Sequence, residues 1–177
     1  VDQIVAAARV NKRMVYHYFG SKEAIYHTAL VEVYARIEQV EFHAIGPSGN
    51  PREKLARLLE GYFLFLDENP DFVRLLLWEN LELGKHIIKQ NHLLSKNPFL
   101  IRFREIVEEG IQLGQFRRNL DVTHLLIHFI GLCFIYHSNR FSLSQSLDID
   151  LGDPAVKEAG RKQVMALVFE GITTPGS

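Results

Sequence analysis

The fold is decided near the start of the chain, by the stretch Asn11-Lys12-Arg13-Met14-Val15-Tyr16-His17-Tyr18-Phe19-Gly20-Ser21-Lys22. Asparagine caps first helical turns and glycine commonly ends last turns, so Asn11 and Gly20 delimit a short helix. On a helical wheel, one face of that helix carries Lys12, Arg13, Tyr16 and His17. The opposite face carries Met14, Val15, Tyr18 and Phe19. One face is therefore cationic and hydrogen-bonding, and the other is apolar and predicted to point inward.

This helix lies between two others. A short helix precedes it, and a longer helix that Ser21 caps follows it. Two short helices joined by a tight turn, the second of them polar, are typical of a helix-turn-helix, whose second helix enters the major groove of DNA. In that groove Lys12 and Arg13 would reach guanine edges. Lys22 lies in the first turn of the next helix, where backbone N–H groups favour a phosphate. The alternative is a surface helix with a few charges.

The stretch from Ile4 to Ala24 resembles the DNA-binding signature of the TetR family of bacterial transcriptional regulators. The residues in register with that signature are Ala8, Val10, Tyr16, Tyr18, Phe19, Lys22 and Glu23. The resemblance implies that DNA is contacted by Lys12, Arg13, Met14, Tyr16, His17, Tyr18 and Lys22. It implies phosphate contacts for Tyr16 and Lys22 in particular. Met14 and Tyr18 receive two competing predictions, because the helical wheel places them on the inner face.

The chain departs from the family signature at two places. Arg9 occupies a turn position that is often glycine in the family. A left-handed backbone there would cost a non-glycine residue on the order of 1 kcal/mol. The family's first helix would precede Val1 and is not in the sequence, so we expect the chain to be incomplete at its N-terminus.

The composition is that of an ordinary folded protein. Of the 177 residues, 47% are hydrophobic and 23% are charged, which argues against wholesale disorder. The net charge is −1, so the chain as a whole offers no basic field to a nucleic acid. Residues 1–27 nevertheless contain four basic and two acidic side chains, which makes the predicted DNA-binding end locally basic. A single cysteine, Cys133, excludes an internal disulfide and a multi-cysteine metal site.

Capping residues beside prolines predict four helix starts, at Asn50-Pro51, Asn69-Pro70, Asn97-Pro98 and Asp153-Pro154. Asp121 predicts a fifth, for a helix from Val122 to about His137 that is apolar on nearly every side. We expect loops over residues 46–50, 114–120 and 142–153. No alternating strand pattern of useful length is present. The predicted fold is therefore all-α, with a helix-turn-helix DNA-binding head over residues 1–44 and a larger helical-bundle body over residues 45–177.

The body is rich in aromatic residues at helical spacing. For most of these side chains the simplest interpretation is ordinary core packing. The resemblance implies instead that the body also holds a small-molecule effector in a cavity between helices, and ligand sites combine apolar walls with a few polar groups. The residues that we assign to such a pocket are Tyr62, Trp78, Glu79, Asn80, Phe103, Phe129, Tyr136 and His137.

The helices over residues 122–137 and 154–171 are the predicted dimer surface. An apolar helix must be buried, either inside a bundle or across a subunit contact, and Gly131 would allow close packing. The resemblance implies a homodimer that reads two half-sites of an operator. A membrane span is rejected because the longest stretch without charged residues, 122–139, contains three histidines. Without a signal peptide either, the protein is expected in the cytoplasm.

Few motifs in the sequence favour catalysis or metal binding. His124 and His128 stand four residues apart, which suits zinc, but Leu125 replaces the glutamate that a metalloprotease helix would have. No nucleophile elbow, phosphate loop or dinucleotide fingerprint is present. We therefore predict no enzyme activity, no metal and no cofactor.

Two functional hypotheses remain. The first is a ligand-responsive homodimeric repressor of a pseudo-palindromic double-stranded DNA operator. The second is an all-α module that binds a small molecule or a protein partner and no longer reads DNA. The missing first helix and the nearly neutral net charge support the second hypothesis. Salt dependence of DNA binding separates the two, because phosphate contacts make affinity fall steeply with salt.

Overall fold

The computed structural model describes residues 1–44, 49–87 and 98–174. These residues form helices, turns and one isolated bridge between Phe116 and Thr173, which confirms the all-α prediction. In chain order the helices are α1 (Asp2–Ala8), α2 (Lys12–Phe19), α3 (Lys22–Ala44), α4 (Pro51–Glu68), α5 (Pro70–Leu81), α6 (Pro98–Gln112), α7 (Val122–Ser138), α8 (Arg140–Leu147) and α9 (Pro154–Ile172).

Three of the predicted caps are present as expected. The side-chain oxygen of Asn50 accepts a hydrogen bond from the backbone N–H of Glu53 at 3.0 Å, and Glu53 completes a capping box. Asp121 accepts from Thr123 and His124 at the start of α7, at 2.9 and 3.0 Å. Asp153 caps α9 in the same way. Each carboxylate or amide satisfies backbone donors that the first turn leaves free.

The prediction for Asn69 was only partly right. The helix α5 does begin at Pro70, but the Asn69 side chain donates to the carbonyl of Phe65 at 2.9 Å and so caps the end of α4. The start of α5 is bonded instead to the backbone carbonyl of Asn69, which accepts from the N–H of Phe72 at 3.0 Å. Asn97 lies outside the described residues, as do positions 46–48 of the predicted loop 46–50.

The loop predicted over residues 142–153 was wrong in its first half, because α8 covers Arg140–Leu147. Its serines have weak helix propensity but bond locally to the backbone. The Ser142 hydroxyl donates to the carbonyl of Asn139 at 3.1 Å, and that of Ser146 donates to the carbonyl of Ser142 at 2.8 Å. Ser144 accepts from the backbone of Leu151 at 3.0 Å, which folds the following turn against the helix.

The core surrounds α4, which packs against α3, α5, α6, α7 and α9. The largest fully buried side chains include Leu30, Leu55, Leu59, Leu66, Phe65, Phe103, Ile106 and Phe129. The Tyr62 ring lies between those of Phe99 and Phe129, with centroids 5.1 and 5.6 Å away. Burial of each such aromatic ring contributes about 1.5–3 kcal/mol. None of the helices, over the described residues, is long and apolar enough to cross a membrane.

The long helix α3 links the two ends of the molecule. Its first residues pack against α2, and its later residues Leu30, Val33, Tyr34 and Ile37 are buried in the core. The helix α3 therefore contacts both the core and α2.

Candidate nucleic-acid interface and effector-binding body

The second helix presents its polar face to solvent. The side chain of Asn11 caps α2 by accepting from the backbone N–H of Arg13 at 2.8 Å, and Gly20, with φ of 77°, ends it. Lys12, Arg13, Tyr16 and His17 are all exposed, as the helical wheel predicts. Together they form a face with cationic, phenolic and imidazole groups.

The apolar side of α2 differs from the wheel prediction. Of its four side chains only Val15 is buried, whereas Met14 is 48% exposed, Tyr18 74% and Phe19 40%. The prediction of an inner position was therefore wrong for Met14, Tyr18 and Phe19. Within the described residues α2 packs against α1 and α3, and this packing covers only Val15. Met14 and Tyr18 are consequently accessible to a partner, as the family resemblance implies.

The start of α3 continues this surface. Ser21 caps the helix by accepting from the backbone N–H of Ala24 at 3.0 Å, and Lys22 is exposed in the first turn. A helix N-terminus carries partial positive charge, which favours an anion beside it. The sequence-predicted residues Lys12, Arg13, Met14, Tyr16, His17, Tyr18 and Lys22 therefore all lie exposed on α2 or at the adjoining end of α3. We call this set the α2 surface.

One residue of the α2 surface already has an ionic partner. Lys12 Nζ lies 2.7 Å from Asp2 Oδ1, with both side chains mostly exposed. The hydrogen bond between them lowers the pKa of Asp2 and raises that of Lys12. A phosphate would have to compete with Asp2 for this ammonium. The sequence analysis missed the pair, although both residues stand at the first turns of neighbouring short helices.

The turn between α1 and α2 has a left-handed backbone, as expected for a position that is often glycine in the family. Arg9 has φ of 53° and ψ of 39°, which is the left-handed region. Its backbone N–H bonds to the carbonyls of Ala6 and Val5, and this hydrogen bonding closes α1. The strain that the sequence analysis anticipates at Arg9 is therefore present.

In the body, Glu79 is buried and fully engaged. Its carboxylate accepts from the Tyr26 hydroxyl and from the backbone N–H groups of His86 and Ile87, both at 3.2 Å. The His86 ring nitrogen Nδ1 lies 2.9 Å away. Burial alone would raise the pKa of Glu79, but the hydrogen bonds from Tyr26 and His86 outweigh it and the pKa is lowered. Glu79 thus joins α5 to α3 and to the turn after α5.

The eight residues assigned to a pocket do not come together. Tyr62, Phe103 and Phe129 pack in the core, and Glu79 is saturated by protein donors. Trp78 is 54% exposed, and Asn80, also exposed, bonds through its side chain to the carbonyl of Leu76 at 2.7 Å. The assignment of all eight residues to one pocket therefore stays a prediction. Helical spacing shows which residues are apolar but not which helix covers them.

Tyr136 and His137 line a cavity of about 290 Å³ that we call the α5 cavity. It lies between the end of α4, one face of α5, the junction of α7 and α8, and the start of α9. The His137 ring packs edge-on against Phe63, with centroids 5.4 Å apart. Burial is the main reason that the pKa of His137 is lowered, so its imidazole is neutral near pH 7.

An apolar stripe runs along the outside of α7 and α9. Ile127, Gly131 and Ile135 of α7 are exposed, as are Leu167 and Gly171 of α9. A second concavity, of about 350 Å³, lies between these helices and is lined by His124, His128 and Leu167 among others. The α7 helix is therefore not buried all round within one chain, and its open side is the part predicted to meet a second subunit.

The two histidines of α7 stand one helical turn apart on an exposed face of the helix. The ring centroids of His124 and His128 are 6.4 Å apart, and Nδ1 of His124 lies 3.2 Å from Asp121 Oδ2. Among the described residues no group of three or more His, Cys, Asp or Glu side chains is placed to hold a metal ion.

Family models match both parts of the chain. Residues 1–29 match the model described as bacterial regulatory proteins of the tetR family, and residues 51–168 match the tetracyclin repressor-like C-terminal domain. The HTH-type transcriptional repressor NicS of Pseudomonas putida is 32% identical over 173 residues, which are 97% of this chain and 82% of NicS. An uncharacterized HTH-type transcriptional regulator of Bacillus subtilis, YdgC, is 26% identical over 100% of this chain and 84% of its own length.

Solved structures agree with this relationship. The transcriptional regulator FadR of Bacillus subtilis, determined in complex with stearoyl-CoA, is 25% identical with a TM-score of 0.71 and covers 97% of this chain and 87% of its own. A tetR-family protein from Rhodococcus is 17% identical with a TM-score of 0.70, covers 94% of this chain and 84% of its own, and shows the shared fold. NicS and FadR are transcriptional regulators. The chain belongs to the TetR family of bacterial regulatory proteins, and it is a DNA-binding, ligand-responsive transcriptional repressor.

Proposed function

We propose that the protein binds a pseudo-palindromic operator as a homodimer through the α2 surface, and that a small molecule bound in the body releases it. The observation that carries the proposal is the common exposure of Lys12, Arg13, Tyr16, His17 and Lys22 at one end of the molecule. In this proposal residues 1–44 are the DNA-binding head and residues 45–177 are the effector-binding and dimerisation body.

Each part of the α2 surface has a distinct role in the proposal. Lys12 and Arg13 stand at the N-terminal end of α2, the end of a recognition helix that meets base edges, and they donate to guanine. Tyr16 and Lys22 hold phosphates, Lys22 with the help of the helix start behind it. Met14, His17 and Tyr18 complete the contact with the groove wall. Phosphate contacts position the head, and base contacts select the sequence.

The apolar stripe on α7 and α9 is the proposed dimer interface. An exposed row that contains Ile127, Ile135 and Leu167 is costly in water and suits a second copy of the same helices. A two-fold pair can place two heads in successive major grooves, which requires half-sites about 34–36 Å apart. The isologous contact then explains why the operator should be an inverted repeat.

The proposed effector is a small molecule bound within the body. FadR, a relative with the same fold, has been determined with stearoyl-CoA, which supports a ligand site in the body of this chain. Effector and operator would favour different separations of the two heads, so each weakens the other, with a typical coupling of about 1–3 kcal/mol. The proposal includes no catalytic residue and no cofactor, and it places the protein in the cytoplasm with the DNA it reads.

Genomic selection tests the proposal. Full-length protein is mixed with fragmented DNA from its source organism, washed at moderate salt, and the retained fragments are sequenced. We expect enrichment of an inverted repeat, and sedimentation should show a dimer on it. Failure to retain any sequence above background, from a preparation that sediments as a folded dimer, would instead support the module that no longer reads DNA.

A further inference from the structure

The α5 cavity has the size of a small-molecule site. Its volume of about 290 Å³ lies near the lower end of the range of about 300–1,000 Å³ that ligand pockets have, so an occupant would be small. Much of its wall is apolar, and it includes Leu66, Val73, Leu77, Phe141 and Leu151. Charged side chains line part of the rest of the cavity.

The charged side chains that line the α5 cavity carry a net positive charge. Asp67 is ion-paired with Lys157, which neutralises both. Arg74 and Arg140 also line the cavity, and neither is within ion-pair distance of a carboxylate in the part of the chain that the structure describes. Arg140 also lines a neighbouring cavity that contains Asp148 and Asp150. With His137 neutral, the lining carries an excess of two positive charges. An anion is the ligand that such a lining favours.

Two buried nitrogens of this lining have no hydrogen-bond partner among the described residues. They are Nε2 of His137 and Nε of Arg140. Buried polar groups in folded proteins are almost always hydrogen-bonded, so two such atoms on neighbouring residues of one cavity need an explanation. Both atoms are covered by protein, so this end of the cavity would have to rearrange before a ligand could bond to them.

Arg140 is held in position by its surroundings. Its guanidinium carbon lies 5.7 Å from the centroid of the Phe141 ring. Its Nη2 atom packs so closely against Gly152 that an added Cβ at that position would collide with it. Only glycine therefore leaves room for this placement. A planar guanidinium beside an apolar wall suits a carboxylate, which it can bind through two parallel hydrogen bonds.

We propose that the α5 cavity binds a small carboxylate with an apolar body, with Arg140 and Arg74 as the charge partners of the carboxylate and His137 as a further polar contact. The apolar wall covers the body of the ligand. A carboxylate fits better than inorganic phosphate because one side of the cavity is polar and cationic while the rest is hydrocarbon.

The helix α5 connects this cavity with the head. Pro70, Val73, Arg74 and Leu77 line the cavity from one face of α5. Glu79, two residues further along, binds the Tyr26 hydroxyl of α3. A ligand that draws α5 toward Arg140 would therefore act on α3 through this bond. This effector role rests on the proposed function, whereas binding of the carboxylate does not.

The test uses four probe compounds in two matched pairs, benzoate with benzamide and hexanoate with hexanamide, and inorganic phosphate as a fifth. Melting temperature and calorimetric affinity are measured for the full chain and for the variants Arg140→Gln, Arg74→Gln and Arg118→Gln. Arg118 is an exposed arginine outside the cavity and is the matched control. We expect at least one carboxylate to bind at least tenfold more tightly than its amide and than phosphate. Arg140→Gln and Arg74→Gln should each remove that preference, and Arg118→Gln should keep it.

The outcomes separate the cavity from its regulatory role. Equal binding of carboxylates and amides, no binding of any carboxylate, or an unchanged preference in Arg140→Gln and Arg74→Gln would overturn the site. Because Arg74 is exposed, its variant tests the site even if Arg140→Gln does not fold. A carboxylate that binds but leaves operator affinity unchanged would overturn the effector role alone. If the unliganded protein binds no operator, the proposed function fails while the carboxylate preference still supports the site.

Discussion

The hydroxyl of Tyr26, on the helix that leaves the α2 surface, donates a hydrogen bond to the buried carboxylate of Glu79 at the end of α5. The ring of Tyr26 also packs against His86, with centroids 4.7 Å apart. These contacts lie where α3 meets the end of α5. They make the buried charge of Glu79 depend on the position of α3, so a shift of either helix disturbs the same group.

Tyr26→Phe should destabilise the protein by about 1.5–3 kcal/mol, because a hydrogen bond to a charged group is lost while the ring remains. Urea unfolding measures the difference at constant m-value. The control is Tyr18→Phe, which removes a hydroxyl from a ring that is 74% exposed and should leave stability unchanged. Equal effects of the two substitutions would show that the hydrogen bond to Glu79 does not add to the stability of the fold.

Glu79→Gln should alter the pH dependence of stability in acid. The folded pKa of Glu79 is lowered, so this carboxylate stabilises the fold above the ordinary glutamate pKa of about 4.3. That contribution is lost as the pH falls through the folded value. We expect the difference in unfolding free energy between the natural protein and Glu79→Gln to shrink between about pH 5 and the lowered folded pKa. A difference that stays constant over this range would contradict the assignment.

Arg9→Gly should stabilise the protein by about 0.5 kcal/mol. Relief of the left-handed strain is worth about 1–2 kcal/mol, and the greater freedom of glycine in the unfolded chain offsets about 0.5–1 kcal/mol of it. The measurement is the midpoint of urea unfolding. Arg9→Ala removes the same side chain but keeps Cβ, so it should show no gain. A gain of the same size in Arg9→Ala would mean that side-chain contacts, rather than backbone strain, are responsible.

Asp2→Asn should increase affinity for operator DNA by about two- to fivefold, since exposed ion pairs are individually weak. The substitution frees Lys12 for a phosphate or a base and removes a negative charge from the α2 surface. Fluorescence anisotropy on labelled operator measures the change. Glu68→Gln removes a carboxylate from the exposed end of α4, away from this surface, and should leave affinity as it is. No difference between the two variants would show that Asp2 does not restrain Lys12.

Lys22→Gln should reduce the slope of log affinity against log salt by about 1 per bound head, the signature of one lost phosphate contact. The loss of affinity should be similar on operator and on unrelated DNA, since a phosphate contact carries no sequence information. The titration is repeated at several salt concentrations with Arg118→Gln as the control. An unchanged slope for Lys22→Gln would remove Lys22 from the interface.

Local sequence determined the helices and most of their boundaries. The caps at Asn50, Asp121 and Asp153 act through side chains and backbone groups a few residues apart, so their chemistry can be read without knowing the fold. The polar face of α2 and the left-handed turn at Arg9 are local in the same sense. These features sufficed to identify the helix-turn-helix and the all-α class.

Only the tertiary structure decided which side chains are covered and which charges meet. Met14 and Tyr18 are exposed because of what α2 packs against, and Glu79 is buried because Tyr26, 53 residues away in sequence, reaches it. The α5 cavity likewise combines α5 with residues at the junction of α7 and α8. Helical periodicity specifies the direction of a side chain about its own axis, but burial and charge pairing depend on the neighbouring helix, which local sequence does not specify.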